Sequence, residues 1–434
     1  MSDEMTAGEV GRFLEGKAGP IFQVFFLVAE DCNLACSYCY ETDKQKHRMT
    51  AATACQCVDS LFQMDGGTII NEQTANGMNL TFFGGEPALN LDAVEAAVDR
   101  FQWMAITRQH RWARNYVITL DSNGTLYFSE QMQRLLRRHK GHIICNISVD
   151  GSKEQHDACR VFQDGHGSYD AAHRAMLHAI EHQYMLSTKV TISPENLPYL
   201  AEGCVSLLHH MEKVFCNCAL EPDWQISHAR ELFAQMKEIT ERLLSDPKLC
   251  RRTCTLFGRW IKSGTPGPDR ENYCGGIRTM IAFDVDGAIY PCPRCTPLCS
   301  CGGRFQIGTA ASGLGKTQAE QSCILEMSQI MFWDKQDEEC RLCPLVGSCP
   351  WCDANDFVQT GSILKKSKRI CWMHRARALG NVYYWMRRHE ILGDDPLCIS
   401  FPESWALELT SPDDWAKLKP YCQEVNNVEE NSAQ

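Results

Sequence analysis

The sequence predicts an α/β fold followed by a loop-rich, cysteine-dense segment. From Ile21 to about Leu220, short apolar runs alternate with longer stretches whose apolar residues recur near every 3.6 positions. Strand–helix alternation over that length requires parallel pairing through crossovers, hence a sheet or barrel with its chemistry gathered at the C-terminal strand ends. From Cys274 to Cys371 the rhythm is lost while cysteines crowd together, so metal clusters are expected to stand in for a hydrophobic core there.

The elements follow in order. Ile21–Val28, Asn79–Phe83, Tyr116–Leu120, Ile143–Val149 and Thr188–Ile192 are brief, apolar and rich in β-branched or aromatic residues, and are predicted as strands. Ala51–Met64, Leu91–Arg108, Ser129–Lys140, Tyr169–His182 and Asn196–Lys213 have the length and spacing of helices. Trp224–Leu249 is predicted as one further long helix, and the Gly-Thr-Pro-Gly-Pro run at 264–268 as a boundary. Arg375–Ile391 is predicted as a terminal helix and Glu424–Gln434 as a polar, frayed tail.

Composition narrows the function classes. With 434 residues the chain is long enough for two or three domains, and its net charge of −11 argues against a nucleic-acid binder working through a basic surface. Met1–Glu15 lacks the basic start of a secretory signal, and the apolar run Ile21–Ala29 is far short of the roughly 20 residues that span a membrane. The chain is therefore expected to be cytoplasmic, with neither nucleic-acid nor membrane partners. Its 25 cysteines then point to metal coordination rather than disulfides.

Directly after the first predicted strand stands Cys32-Asn-Leu-Ala-Cys36-Ser-Tyr-Cys39. Three thiolates so close together suit a 4Fe–4S cluster with one iron left open, whereas structural zinc wants a fourth ligand, for which only His47 is near in sequence. Reduced structural cysteines are the bland alternative.

With its tyrosine before the third cysteine, this motif resembles that of the radical S-adenosylmethionine (SAM) enzymes, and further matches follow in the family's order over about residues 21–220. Gly84-Gly85-Glu86-Pro87 matches the loop that holds the SAM amino group. Ser122-Asn123-Gly124 and Ser148-Val149-Asp150-Gly151 follow the third and fourth strands, and His156, Asp157 and Arg160 trail them. The resemblance implies a partial (β/α)6 TIM-like barrel in which Tyr38, Gly84, Gly85, Glu86, Pro87, Ser122, Asn123, Ser148, Asp150 and Arg160 bind the cofactor. The residue types are suited to such binding, since glycines admit close backbone approach, Glu86 accepts from an ammonium group, and Arg160 offers a forked donor to a carboxylate. SAM would chelate the open iron and, once reduced, yield a 5′-deoxyadenosyl radical that abstracts a substrate hydrogen. An external reductant such as flavodoxin or ferredoxin is implied.

Farther on, Cys274-x12-Gly287-x4-Cys292, then Cys340-x2-Cys343-x5-Cys349-x2-Cys352 and Cys371, resemble the family's SPASM extension with its two auxiliary 4Fe–4S clusters. That pattern assigns Cys340, Cys343, Cys349 and Cys371 to an outer cluster and Cys274, Cys292 and Cys352 to an inner one, whose fourth ligand stays open between Cys250, Cys254 and a vacant site. Two residues separate Cys349 from Cys352 where the family usually has three, and Cys295, Cys299 and Cys301 form an extra group. A zinc ribbon on the two C-x2-C pairs is the alternative. The implied division is a tail at 1–20, a radical SAM core at 21–245, a SPASM domain at 246–372 and a helical C-terminal segment at 373–434.

The functional expectation is a peptide maturase that installs a thioether or carbon–carbon cross-link in a ribosomally made precursor. Sulfatase maturation to formylglycine is the runner-up, weakened because Pro293 follows Cys292 where that group has an aspartate. A non-catalytic metal-cluster scaffold or electron carrier is the reading from another class. With about 31 residues before Cys32, no leader-binding winged helix is expected there, so leader recognition falls to the C-terminal segment, the barrel surface or a separate partner. Ala310-x4-Gly315-Lys316-Thr317 nearly matches a phosphate loop but lacks its first glycine. Cys55, Cys57 and Cys145 are expected to be small buried packing residues, and Cys204, Cys216, Cys218, Cys323, Cys398 and Cys422 are left unassigned because no spacing argues for them as ligands.

Overall fold

A computed structural model of the protein describes residues 19–261, 275–301, 303–331, 334 and 338–423. In chain order its principal elements are β1 (Ile21–Ala29), α1 (Ala51–Met64), β2 (Gly77–Gly84), α2 (Leu91–Thr107), β3 (Tyr116–Ser122), α3 (Glu130–Arg138), β4 (Ile143–Ile147), α4 (Lys153–Asp157), α5 (Tyr169–Glu181) and β5 (Thr188–Ile192). There follow α6 (Leu200–His210), β6 (Lys213–Cys218), α7 (Ile226–Ser245), β7 (Thr253–Cys254), β8 (Met280–Phe283), β9 (Ala288–Tyr290), β10 (Gly308–Thr309), β11 (Gly313–Leu314), α8 (Gln318–Gln329), α9 (Glu338–Leu342), α10 (Asp353–Thr360) and α11 (Cys371–Leu392). Two units divide these residues: 19–149, 160–189 and 275–330 in the first, and 150–159, 190–261 and 331–423 in the second.

The first unit is built on one sheet of order β11-β10-β9-β8-β1-β2-β3-β4. β1 runs parallel to β2 from Ile21↔Gly77 to Leu27↔Phe83, and β2–β3 and β3–β4 continue the parallel run. Phe22, Val24 and Phe26 are fully buried, and the Phe26 ring lies between those of Phe82 (5.2 Å) and Phe283 (5.4 Å). Burying each such ring is worth about 1.5–3 kcal/mol. α1 is started by Thr50, whose hydroxyl accepts the Thr53 N–H at 3.0 Å, and α3 by Ser129, which caps Met132. These elements bear out the α/β expectation, with the sheet left open rather than closed into a barrel.

Two departures are informative. The stretch after residue 275 does not stand apart: β8 pairs in parallel with β1, from Gln23↔Met280 to Phe26↔Phe283, and turns back as the antiparallel β9. The predicted helix Asn196–Lys213 is shorter: a single turn at Leu197–Tyr199 leads into α6, and Lys213 opens β6. There Val214, Cys216 and Cys218 are buried while Phe215 and Asn217 are exposed, a two-residue period that the helix reading overran.

In the second unit β5, β6 and β7 make a three-stranded sheet. α7 and α11 pack together, tied by Glu241, which accepts from Arg387 (2.8 and 3.0 Å) and from the Tyr383 hydroxyl (2.7 Å). Asn381, fully buried on α11, donates to the Leu256 carbonyl (2.8 Å) and accepts from the Gly258 N–H (2.7 Å). No described helix is long and apolar enough to cross a membrane.

Candidate metal and cofactor site

Cys32, Cys36 and Cys39 sit on the loop leaving β1, at the C-terminal end of the parallel run. Cys32 is buried; Cys36 and Cys39 are partly exposed. N–H groups face the sulfurs: the Leu34 amide reaches Cys32 Sγ at 3.4 Å, Asn123 Nδ2 the same sulfur at 3.8 Å, and Lys44 Nζ lies 3.2 Å from Cys39 Sγ. Donors aimed at sulfur favour thiolates, the form that binds metal. Burial pushes the Cys32 thiol up to about 12, against the Leu34 N–H, so a bound cation is what would hold it as a thiolate at neutral pH. The donor set thus fits an iron–sulfur cluster.

The Gly84–Pro87 loop lies directly against this segment. The Gly85 N–H donates to the Ala29 carbonyl at 2.8 Å and the Glu86 N–H to the Asp31 carbonyl at 3.0 Å. A Cβ on Gly84 would stand 2.2 Å from the Ala29 oxygen and one on Gly85 2.1 Å from the Asp31 oxygen. The two glycines therefore serve the close fit of two backbones, in addition to any ligand.

Glu86 is buried, and its carboxylate is already a hub. Oε1 accepts the Ala88 N–H (3.0 Å) and the Ser122 hydroxyl (2.8 Å), and Oε2 accepts the Asn123 N–H (2.7 Å). Burial raises its pKa, while these three donors and the nearby Arg160 oppose the rise. Pro87 is buried at the start of the turn that follows. Ser148 donates its N–H to the Ser122 carbonyl at 3.0 Å, linking the ends of β3 and β4. The Arg160 guanidinium lies over the Tyr38 ring at 5.4 Å. Asp150 belongs to the second unit, where its carboxylate accepts the Thr191 N–H (2.8 Å) and its own N–H donates to His156 Nδ1 (3.2 Å).

Besides Lys44, further bracing residues that the sequence did not single out surround the loop. Gln163 donates to the Cys32 carbonyl at 2.7 Å, Ala35 N–H to the Val161 carbonyl at 2.8 Å, and Asn33 bridges Asn123 (2.8 Å) and Thr125 (2.7 Å). Among the side chains that brace from outside the motif, only Lys44, five positions beyond Cys39, offered any local signal.

The later cysteines divide between the units. In the first, Cys292 closes the β8–β9 hairpin, whose turn is held by Asp284 Oδ1 accepting from the Asp286 (3.0 Å) and Ala288 (2.9 Å) amides. Cys295 Sγ lies 3.6 Å from Cys292 Sγ, whereas Cys299 and Cys301 direct their sulfurs to the carbonyls of Pro293 (3.4 Å) and Arg294 (3.3 Å). In the second unit Cys340, Cys343, Cys349, Cys352 and Cys371 are all partly exposed. Burial raises the Cys343 and Cys371 thiols, and the charge of Cys349 adds to both. Lys366 contacts Cys349 Sγ and lies over the Trp351 ring at 4.6 Å. Cys274 is outside the described residues. The near-phosphate loop is a helix start instead: Thr317 caps α8, and Glu320 accepts from the Lys316 (2.7 Å) and Thr317 (2.9 Å) amides.

With its three-cysteine loop at the C-terminal end of the parallel strands of an open, mixed sheet, the chain resembles the radical SAM enzymes with a SPASM-type extension. A family model described as a 4Fe-4S single cluster domain matches residues 18–170, which hold the whole of that loop. Among particular proteins, the chain is 27% identical over 269 residues to an uncharacterized protein of Methanocaldococcus jannaschii, covering 61% of this chain and 82% of that one. It is 25% identical over 264 residues to a serine-type anaerobic sulfatase-maturating enzyme of Bacteroides thetaiotaomicron, covering 56% of this chain and 58% of that enzyme. In fold it is similar to anSMEcpe solved with bound AdoMet and Cp18Cys peptide (TM-score 0.62, 16% identity, 85% of this chain and 97% of that one). It is also similar to SuiB of Streptococcus suis bound to the precursor peptide SuiA (TM-score 0.52, 13% identity, 83% of this chain and 78% of that one).

Proposed function

We propose that the protein is a radical SAM enzyme that oxidatively modifies a peptide, with a thioether or carbon–carbon cross-link as the product. The observation that carries this reading is the contact of the Gly84–Pro87 loop with Ala29 and Asp31, the residues that lead into the Cys32–Cys39 loop at the end of the parallel strands. Cys32, Cys36 and Cys39 would hold a 4Fe–4S cluster, with SAM at Glu86, Ser122, Asn123, Ser148 and Arg160. Bound there, the cluster and SAM supply one-electron cleavage chemistry that removes a substrate hydrogen. The chain's own work is positioning: Glu86 fixes the ends of β2 and β3 through its three donors and keeps a carboxylate for an ammonium group, and Arg160 keeps a cation beside it. The sequence pattern implies two auxiliary clusters within 246–372, one of which Cys340, Cys343, Cys349 and Cys371 would hold.

A peptide substrate is supported by the likeness to anSMEcpe and SuiB, both solved with peptides bound. The reductant would be a small flavodoxin or ferredoxin, and a separate protein would present the leader. Formylglycine formation is the second reading, favoured by the match to the sulfatase-maturating relative and opposed by Pro293 after Cys292.

Anaerobic reconstitution tests the proposal. About twelve irons per chain and 5′-deoxyadenosine on reduction with SAM are expected; zinc without SAM cleavage would make the protein a scaffold. Mass spectrometry of two peptides then separates the readings. A precursor encoded beside the gene should lose two hydrogens, while conversion of a sulfatase-derived peptide to formylglycine would overturn the cross-link.

A further inference from the structure

Three sulfurs meet inside the second unit where no motif announces them. Cys204 on α6, Cys216 on β6 and Cys254 on β7 are 0%, 1% and 3% exposed. Cys204 Sγ and Cys254 Sγ each lie 3.6 Å from Cys216 Sγ, and all three sulfurs fall within 4.8 Å of one another. Among the described residues this is the one group of three or more cysteine, histidine or acidic side chains so close together.

The spacing distinguishes what could sit among them. Thiolates sharing one ion at about 2.3 Å stand about 3.8 Å apart in a tetrahedron and about 4.0 Å apart in a trigonal plane. Ligands of a cubane cluster each hold a different iron and stand farther apart. A mononuclear site therefore fits. The three come from three different elements, and β6 and β7 are in register at Val214↔Cys254, so an ion here would pin α6 to both strands. Soft thiolate sets select Zn2+ and Cu+, and three thiolates leave a single net negative charge on Zn2+ against two on Cu+, a smaller burden for an apolar interior.

We propose that Cys204, Cys216 and Cys254 form a buried structural site for one soft d10 cation, Zn2+ before Cu+. This stands independently of the radical SAM reading and removes Cys254 from the candidates for the inner cluster's fourth ligand.

The test uses full-length protein expressed with zinc supplementation, its iron sites fully reconstituted under anaerobic conditions so that they take up no stray zinc. Metal analysis should find about one equivalent of zinc or copper beyond iron. Cys204→Ala and Cys216→Ala should lose that equivalent, and Cys145→Ala, which removes another fully buried thiol, should keep it. X-ray absorption at the metal edge should show a sulfur-only shell at about 2.3 Å. Wild-type protein free of both metals overturns the site, as does a metal content unchanged in the two variants. If either variant fails to fold, the wild-type spectrum decides: nitrogen or oxygen ligands overturn the proposal, and a shell of three sulfurs sustains it.

Discussion

The Cys32–Cys39 loop and the Cys204–Cys216–Cys254 trio reach threefold sulfur by opposite routes. In the first, eight consecutive residues supply all three thiols, two of them partly exposed, and side chains from elsewhere supply donors to sulfur. In the second, a helix and two strands each contribute one enclosed thiol, and the sulfurs lie against each other, with the Leu256 N–H also reaching Cys254. A reactive, exchangeable centre needs access and an open edge; a structural one needs neither. Local spacing writes the first kind of site, and only the fold assembles the second.

The sharpest break between the two would come from single substitutions. Cys36→Ala should abolish 5′-deoxyadenosine formation, measured by chromatography after reduction with SAM; full activity would show that the loop is not the radical centre. Next in size, Glu86→Gln keeps the shape of the hub but removes its charge. Since hydrogen bonds to charged groups contribute about 1.5–3 kcal/mol, SAM affinity by equilibrium dialysis should fall ten-fold or more, with the iron content of the loop unchanged. Gly85→Ala drives a methyl group into the Asp31 carbonyl. A cost of about 1–3 kcal/mol is expected from such overpacking, seen as a lower denaturant midpoint accompanied by loss of iron. The same substitution at an exposed glycine such as Gly361, which has open space around its Cα, tests the left-handed backbone alone and should cost less.

The smallest effect probes the frame rather than either site. His139, at the end of α3, is buried, and that burial together with Arg138 lowers its pKa to about 4. The unfolded chain then binds more protons than the native one between pH 6.5 and 4, so stability is present above that window and lost as pH falls through it. The loss is at most about 3 kcal/mol. His139→Gln should flatten this slope in pH-dependent urea titrations of the iron-free protein, and an unchanged slope would assign the acid sensitivity elsewhere.

Much of the frame was legible because its signals are local. β1, β3 and β5 and helices α1, α2 and α5 begin where apolar periodicity begins, and all end within a residue or two of expectation. β6 was missed because a helical pattern running through His209 and His210 overlaid the onset of alternation at Val214. The role of β8 was hidden for a different reason: its partner, β1, lies far away in the sequence. The site divides in the same way. The cysteine triple and the Gly84–Pro87 loop are contiguous words, whereas Gln163 matters only once folding has brought it to the Cys32 carbonyl.

The pairing of β1 with β8 also bears on how the molecule is made. β1 is an interior strand only after Met280–Phe283 has left the ribosome; until then a nascent chain has β2 on one flank and bare amides on the other, just below the loop proposed to receive iron. An unfilled strand edge invites pairing with another chain. Synthesis of the cysteine loop and completion of the sheet are thus separated by the whole stretch from residue 40 to residue 279, and a polypeptide released before residue 280 would be left as a sticky, half-built sheet.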